Sequence, residues 1–134
     1  MTCVLDASAA LSLVLGDEFT DTSERILNLV VAHGAIVPTL WNYEVTNGLL
    51  AAWRRGRFTE DGVAHAIVGL QRLPIIDDPS QPSQGELIGL AREYDLTTYD
   101  AAYLWLARNR NLSLATRDQR LTSAARRAAI TLVD

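Results

Sequence analysis

The chain has 134 residues, 49% hydrophobic and 21% charged, which is the size and mixture of one domain around one apolar core. Glycine and proline are sparse, at 8 and 4 residues, and no segment is repetitive or purely polar, so a fibrous or disordered chain is excluded. Formal charge is -4, yet all 12 basic residues are arginines, and they are unevenly spread: residues 1–102 carry -8 and residues 103–134 carry +4.

No apolar run reaches the roughly 18–20 residues of a membrane span, because Asp6, Gly16, Asp17 and Glu18 interrupt the one long candidate. No basic residue precedes Arg25, which does not suit a secretory or transit segment, so cytoplasm is the expected compartment. The one cysteine, Cys3, rules out an internal disulfide, a thiolate zinc cage and a Cys-x-x-Cys pair, and is expected in the core.

In chain order, residues 2–5 form a short apolar strand, closed by Asp6 before a helical run over 7–15. A second helix is predicted over 18–32, with Ile26, Leu27, Val30 and Val31 on one face and a glycine stop at Gly34. Residues 35–37 read as a strand, and Pro38-Thr39 opens a helix that buries Val45, Leu49 and Trp53 up to Arg54-Arg55-Gly56. A helix over 59–71, a strand over 74–77 and a helix over 84–94 follow. The last third reads as a helix over 99–109, a strand over 112–115, a helix over 119–128 and a possible final strand over 130–133. Strands apolar on both faces and separated by helices predict a three-layer α/β/α sandwich with a central parallel sheet. In such sheets the functional crevice lies at the carboxyl ends of the strands.

Four carboxylates fall where that crevice would be. Asp6 follows the first strand and Asp118 the strand over 112–115, and each also suits a helix N-cap. Asp100 lies three residues after Thr97, a spacing equally compatible with a capping box. Glu44 is expected beyond the first turn of its helix, where capping does not explain it, although a solvated helix face would. If all four acids converge on one rim, their repulsion calls for a cation, and all-oxygen donors suit a hard divalent ion such as magnesium or manganese. Ser8, Asn47 and Thr116 add neutral oxygens nearby. A carboxylate-held divalent ion serves phosphodiester or phosphoester hydrolysis. The chain has no Gly-x-x-x-x-Gly-Lys loop, no Gly-x-Gly-x-x-Gly, no Gly-x-Ser-x-Gly and no His-Glu-x-x-His, and His33 and His65 are isolated.

The segments Val4-Leu5-Asp6-Ala7-Ser8-Ala9, Glu44-x-x-Asn47, Thr98-Tyr99-Asp100-Ala101-Ala102-Tyr103 and Leu114-Ala115-Thr116-Arg117-Asp118-x-x-Leu121 together resemble the PIN-domain family, and within it the VapC-type toxins of toxin–antitoxin pairs. The resemblance spans almost the whole chain in order. It implies a magnesium- or manganese-dependent endoribonuclease whose ligands map onto Asp6, Glu44, Asp100 and Asp118, with Ser8, Asn47 and Thr116 in support. It further implies attack of a metal-activated water on the RNA phosphate, a homodimer, and silencing by a small antitoxin protein.

An acidic rim attracts RNA only if metal and flanking cations reverse its field. Arg117 and Arg120 are the leading candidates, with Arg108, Arg110, Arg126, Arg127, Arg54, Arg55 and Arg57 as further sources of positive charge. Trp41 and Tyr99 adjoin the same segments and fit either core packing or stacking on a base. Three rival functions fit less of the chain. A silent binding module has no chemical need for four convergent acids, a small-molecule phosphatase has little use for a basic C-terminal face, and a phosphoacceptor domain wants a lysine that this chain lacks.

Overall fold

The computed structural model describes residues 1–134. Four short parallel strands form the middle layer: β1 (Cys3–Leu5), β2 (Ala35–Pro38), β3 (Ile75–Asp78) and β4 (Ser113–Ala115). Their order across the sheet is β3-β2-β1-β4. The chain therefore steps outward in one direction from β1 and later returns to its other side. That reversal makes the carboxyl ends of β1 and β4 the switch point at which open α/β sheets hold their sites.

The pleat sorts the strand side chains into two cores. Cys3, Leu5, Ala35, Val37 and Ala115 face α1 (Ala7–Val14), α2 (Asp21–His33), α3 (Trp41–Arg54) and α4 (Glu60–Gln71), where they meet Ile26, Val30 and Leu49. Val4 and Leu114 face the other way, toward α5 (Gln84–Tyr94), α6 (Thr98–Arg110) and α7 (Gln119–Arg127), and join Leu90, Leu104, Leu106 and Leu121. Helices on both faces explain why β1 is apolar throughout rather than alternating. Burial pushes the Cys3 thiol up to about 11, which leaves it an inert core side chain.

Three boundaries differ from the sequence expectation. The second helix starts later than expected: residues Gly16–Glu18 form a 3-10 turn, and α2 begins at Asp21 under a reciprocal Thr20–Ser23 capping box. Pro38 closes β2 opposite Asp78 instead of opening α3, which begins at Trp41 and so puts Glu44 in the first turn. A strand end tolerates proline because the ladder there can do without its N–H. The final strand shrinks to one parallel bridge, Leu114 to Leu132, carried by Leu114 N to Thr131 O and Val133 N to Leu114 O.

Gly34 turns the chain from α2 into β2 with φ +76°, and a Cβ there would stand 2.9 Å from the Pro74 carbonyl oxygen. Gly34→Ala is therefore expected to cost about 1–3 kcal/mol of unfolding free energy in a urea titration. A loss below measurement error would show that this turn relaxes freely.

A second structural prediction concerns pH. Asp78, only 7% exposed, accepts from Arg110 Nε at 2.7 Å and Arg110 Nη2 at 3.0 Å, and from Ser80 N and Oγ. The Arg110 guanidinium, helped by Ser80, holds the Asp78 carboxyl well below the usual carboxylate range. A depressed folded value makes this contribution complete above the unfolded carboxylate value of about 4 and lost as pH falls through the folded one. Asp78→Asn is thus expected to lower the melting temperature by several degrees near neutrality, with the gap to the parent closing below about pH 4. A gap that stays constant with pH would refute this account.

Candidate active site

Asp6 ends β1 and caps α1, with its Oδ1 accepting from Ala9 N at 2.8 Å. Its carboxylate, 4% exposed, also accepts from Ser8 Oγ at 2.8 and 2.9 Å and from Thr116 Oγ1. The two hydroxyls are themselves fixed from β4's end: Ser8 Oγ accepts from Arg117 N at 2.9 Å, and Thr116 Oγ1 accepts from Asp118 N at 3.1 Å. The Asp6-Ala7-Ser8 and Thr116-Arg117-Asp118 segments thus clasp each other across adjacent parallel strands. Burial pushes the Asp6 carboxyl up to about 6, against the opposing pull of the Thr116, Ala9 and Ser8 hydrogen bonds, and Asp100 adds to the rise.

Asp118 caps α7 through Oδ1, which accepts from Leu121 N at 2.9 Å, while its other oxygen has no partner. Capping and a site role therefore coexist at Asp6 and Asp118. Asp100 differs. Thr97 Oγ1 accepts from Asp100 N at 3.1 Å, but the reciprocal bond of a capping box, from the Thr97 amide to the Asp100 carboxylate, is not made. Burial, then Asp118 and Glu44, raise the Asp100 carboxyl above its ordinary value, and the Thr97 hydroxyl and then Arg120 partly oppose them.

Glu44 stands in the first turn of α3, so the helix dipole acts on it as well. Its Oε1 accepts from the Tyr103 hydroxyl at 2.6 Å. Burial first, then Glu44, Asp6 and Asp100, drive the Tyr103 phenol far above its ordinary value, so it stays protonated and acts as a donor. Sequence reasoning gave Tyr103 no task of its own. The usable signal was its i+3 spacing from Asp100, which puts both on one face of α6.

The structure thus brings Asp6, Glu44, Asp100 and Asp118 into one electrostatic neighbourhood at the rim of β1 and β4. Ser8 and Thr116 support Asp6 directly. Asn47 is exposed on α3, one turn past Glu44, and makes no hydrogen bond to the site. No three of the acidic side chains, as they stand, surround a common point closely enough to share an ion. The donor set nevertheless fits a hard divalent cation. It is all oxygen, it carries unspent oxygens on Glu44, Asp100 and Asp118, and acidic neighbours add to the burial that raises the Asp6 and Asp100 carboxyls.

The arginines divide into two groups. Arg110 is committed to Asp78, Arg57 to Asp17 and Glu18, and Arg127 donates to the Glu93 carbonyl and lies 5.3 Å from the Tyr94 ring centre. Those three hold the fold together rather than facing a ligand. Arg117 and Arg120 are exposed beside the rim with no ion-pair partner. Trp41 packs between both cores, as expected for a core residue, whereas Tyr99 is 63% exposed next to Asp100.

The PIN-domain family profile matches residues 3–127. The chain belongs to the PIN-domain family. Among curated proteins it is similar to the VapC ribonuclease Mb0985 of Mycobacterium bovis and to ribonuclease VapC9 of Mycobacterium tuberculosis. Each is 31% identical over 124 residues, covering 89% of this chain and 87% of the relative. Among solved structures it is similar to PAE2754 from Pyrobaculum aerophilum, with a TM-score of 0.64 and 27% identity over 92% of this chain and 87% of the other. The α/β three-layer arrangement is thus that of a PIN domain. No helix is long and apolar enough to cross a membrane.

Proposed function

We propose that this PIN domain is the endoribonuclease toxin of a toxin–antitoxin pair, hydrolysing RNA phosphodiester bonds with a divalent metal, magnesium or manganese, held by Asp6, Glu44, Asp100 and Asp118. The observation that carries the reading is the gathering of those four carboxylates at the sheet's switch point, in a chain whose relatives are named VapC ribonucleases. A bound divalent ion lowers the pKa of water and offsets charge building on the phosphate oxygens. The chain's own residues do the rest. Ser8, Thr116 and the Ala9 amide fix Asp6 in a single orientation. Arg117 and Arg120 flank the rim and provide positive charge where a phosphate backbone would approach. Tyr99 offers an exposed ring beside Asp100 on which an unpaired base can stack.

Two protein partners belong to this reading, a cognate antitoxin and a second copy of the chain. Trp53, expected from its spacing to be buried, is instead exposed, as are Ile67 and Val68, on α3 and α4, which also form a groove lined by Trp41, Leu49 and Leu70; this supports a protein partner on that face. The reading implies a cytoplasmic enzyme, where its RNA is found.

The test is cleavage of labelled structured RNAs, transfer RNA included, by antitoxin-free protein with magnesium or manganese, against chelator and Asp6→Asn controls. Metal-dependent cuts that vanish in both controls are expected. Cuts that persist in the chelator and in the variant would sink the reading.

A further inference from the structure

Resting on that reading, we propose that Tyr103 is a positioning residue for the metal site: its hydroxyl fixes one oxygen of Glu44 so that the other is presented to the cation. The ring is 1% exposed and packs in the core with Val4, Leu90 and Leu104, so phenylalanine would satisfy that environment equally well. The hydroxyl is what the packing does not explain. It is the one side-chain donor that reaches the Glu44 carboxylate, and at 2.6 Å the contact has the length of a charge-assisted O–H···O⁻ bond.

The need for such a donor follows from the surroundings. Glu44 has a longer, looser side chain than the three aspartates, and two of those aspartates are anchored by backbone amides as helix caps. Glu44 has no comparable backbone tether and faces the charge of Asp100. A rigid donor rooted in the core and aimed at Oε1 removes that freedom, while Oε2 accepts no hydrogen bond. Tyr103 also lies on the same face of α6 as Asp100, so one helix sets two of the four acids at once. Outer partners of this kind typically set metal affinity or activity by 10–100-fold.

Tyr103→Phe is the direct test, with Mn2+ binding read by electron paramagnetic resonance or calorimetry on the protein alone. The expected result is a 10–100-fold weaker Mn2+ affinity with a melting temperature within a few degrees of the parent. Cleavage should show a matching fall in kcat at limiting metal, an unchanged KM for RNA, and partial recovery at saturating Mn2+. Mn2+ affinity within twofold of the parent would overturn the proposal. Glu44→Gln separates the two levels of the argument. If it loses Mn2+ binding while Tyr103→Phe does not, only the positioning role fails; if the parent itself binds no Mn2+, the metal reading fails. A readout without substitution is the Tyr103 hydroxyl proton in nuclear magnetic resonance, whose signal should shift when Mg2+ is added. A signal unmoved by saturating Mg2+ would also overturn the proposal.

Discussion

Asp6→Asn is expected to lower RNA cleavage by roughly 10²–10³-fold or more while leaving the protein at least as stable as the parent near neutral pH. The two effects share one cause. Asp6 is a buried carboxylate whose folded value is pushed up to about 6, against about 4 when unfolded. A raised folded value means that its contribution is fully present below the unfolded value and is lost as pH rises through the folded one. Keeping it ionised in the metal-free protein near neutrality therefore costs on the order of 2–3 kcal/mol. Asparagine carries no such charge. Its carbonyl oxygen can still accept from Ala9 N, and its amide can donate to Ser8 or Thr116, whose hydroxyls rotate to receive it.

The measurement is a pair of thermal melts across pH. The variant should match or exceed the parent at about pH 7.5, and its advantage should shrink toward about pH 5 as the parent's carboxyl takes up its proton. Magnesium or manganese should raise the melting temperature of the parent and move the variant little, because a ligand stabilises only the state that binds it. A variant that melts well below the parent at neutral pH would show that the three hydrogen bonds outweigh the burial cost. Equal cleavage by variant and parent would remove Asp6 from the site.

Most of the architecture is legible from local chemistry. Val4 and Leu5 have to be buried on both faces of the sheet, and that is what reveals helices on each side of it. Thr59, Ser83, Thr97 and Asp118 mark helix starts by side chains that accept from the third residue onward. The errors arise where tertiary contacts decide. Pro38 reads as a helix opener in isolation, yet its pairing opposite Asp78 draws it into β2 and shifts Glu44 into the first turn of α3. Residues 18–20 read as helical, but the Thr20–Ser23 capping box competes for the same backbone and starts the helix at Asp21. Within the site, Asp6, Asp100 and Asp118 are visible because each follows a strand or opens a helix, and Glu44 because an acid expected inside a helix has no capping role to explain it. The Tyr103–Glu44 bond is not, since it joins residues 59 positions apart. The pairing of Arg110 with Asp78 is hidden for the same reason, and it removes one arginine from the set that a charge count alone would offer to RNA. Tyr99 shows the reverse case: an aromatic residue in an otherwise buried helix reads as core until the helix's orientation leaves it in solvent.

Arg120→Glu is expected to weaken RNA binding about tenfold or more and to lower the slope of log affinity against log salt by roughly one. The basis is the contrast among the arginines. Arg57, Arg110 and Arg127 already spend their donors on acidic side chains, a carbonyl and a ring, so reversing their charge acts first on the fold. Arg120 is exposed, has no ion-pair partner, and is close enough to Asp100 to offset part of that residue's acidic surroundings. Reversal would therefore act twice, removing a cation from the approach of the phosphate backbone and adding a fifth negative charge beside the four acids. The second effect predicts that Arg120→Gln is milder than Arg120→Glu, although both lose the same cation. It also predicts a small change in melting temperature, because no hydrogen bond of the fold depends on the Arg120 side chain. Fluorescence anisotropy on labelled RNA across a salt series separates the two contributions: the loss of a phosphate contact changes the slope, whereas the added anion changes the affinity at low salt most. Unaltered affinity and slope in Arg120→Glu would take the N-terminal turn of α7 out of the RNA path and leave Arg117 as the remaining exposed cation at the rim.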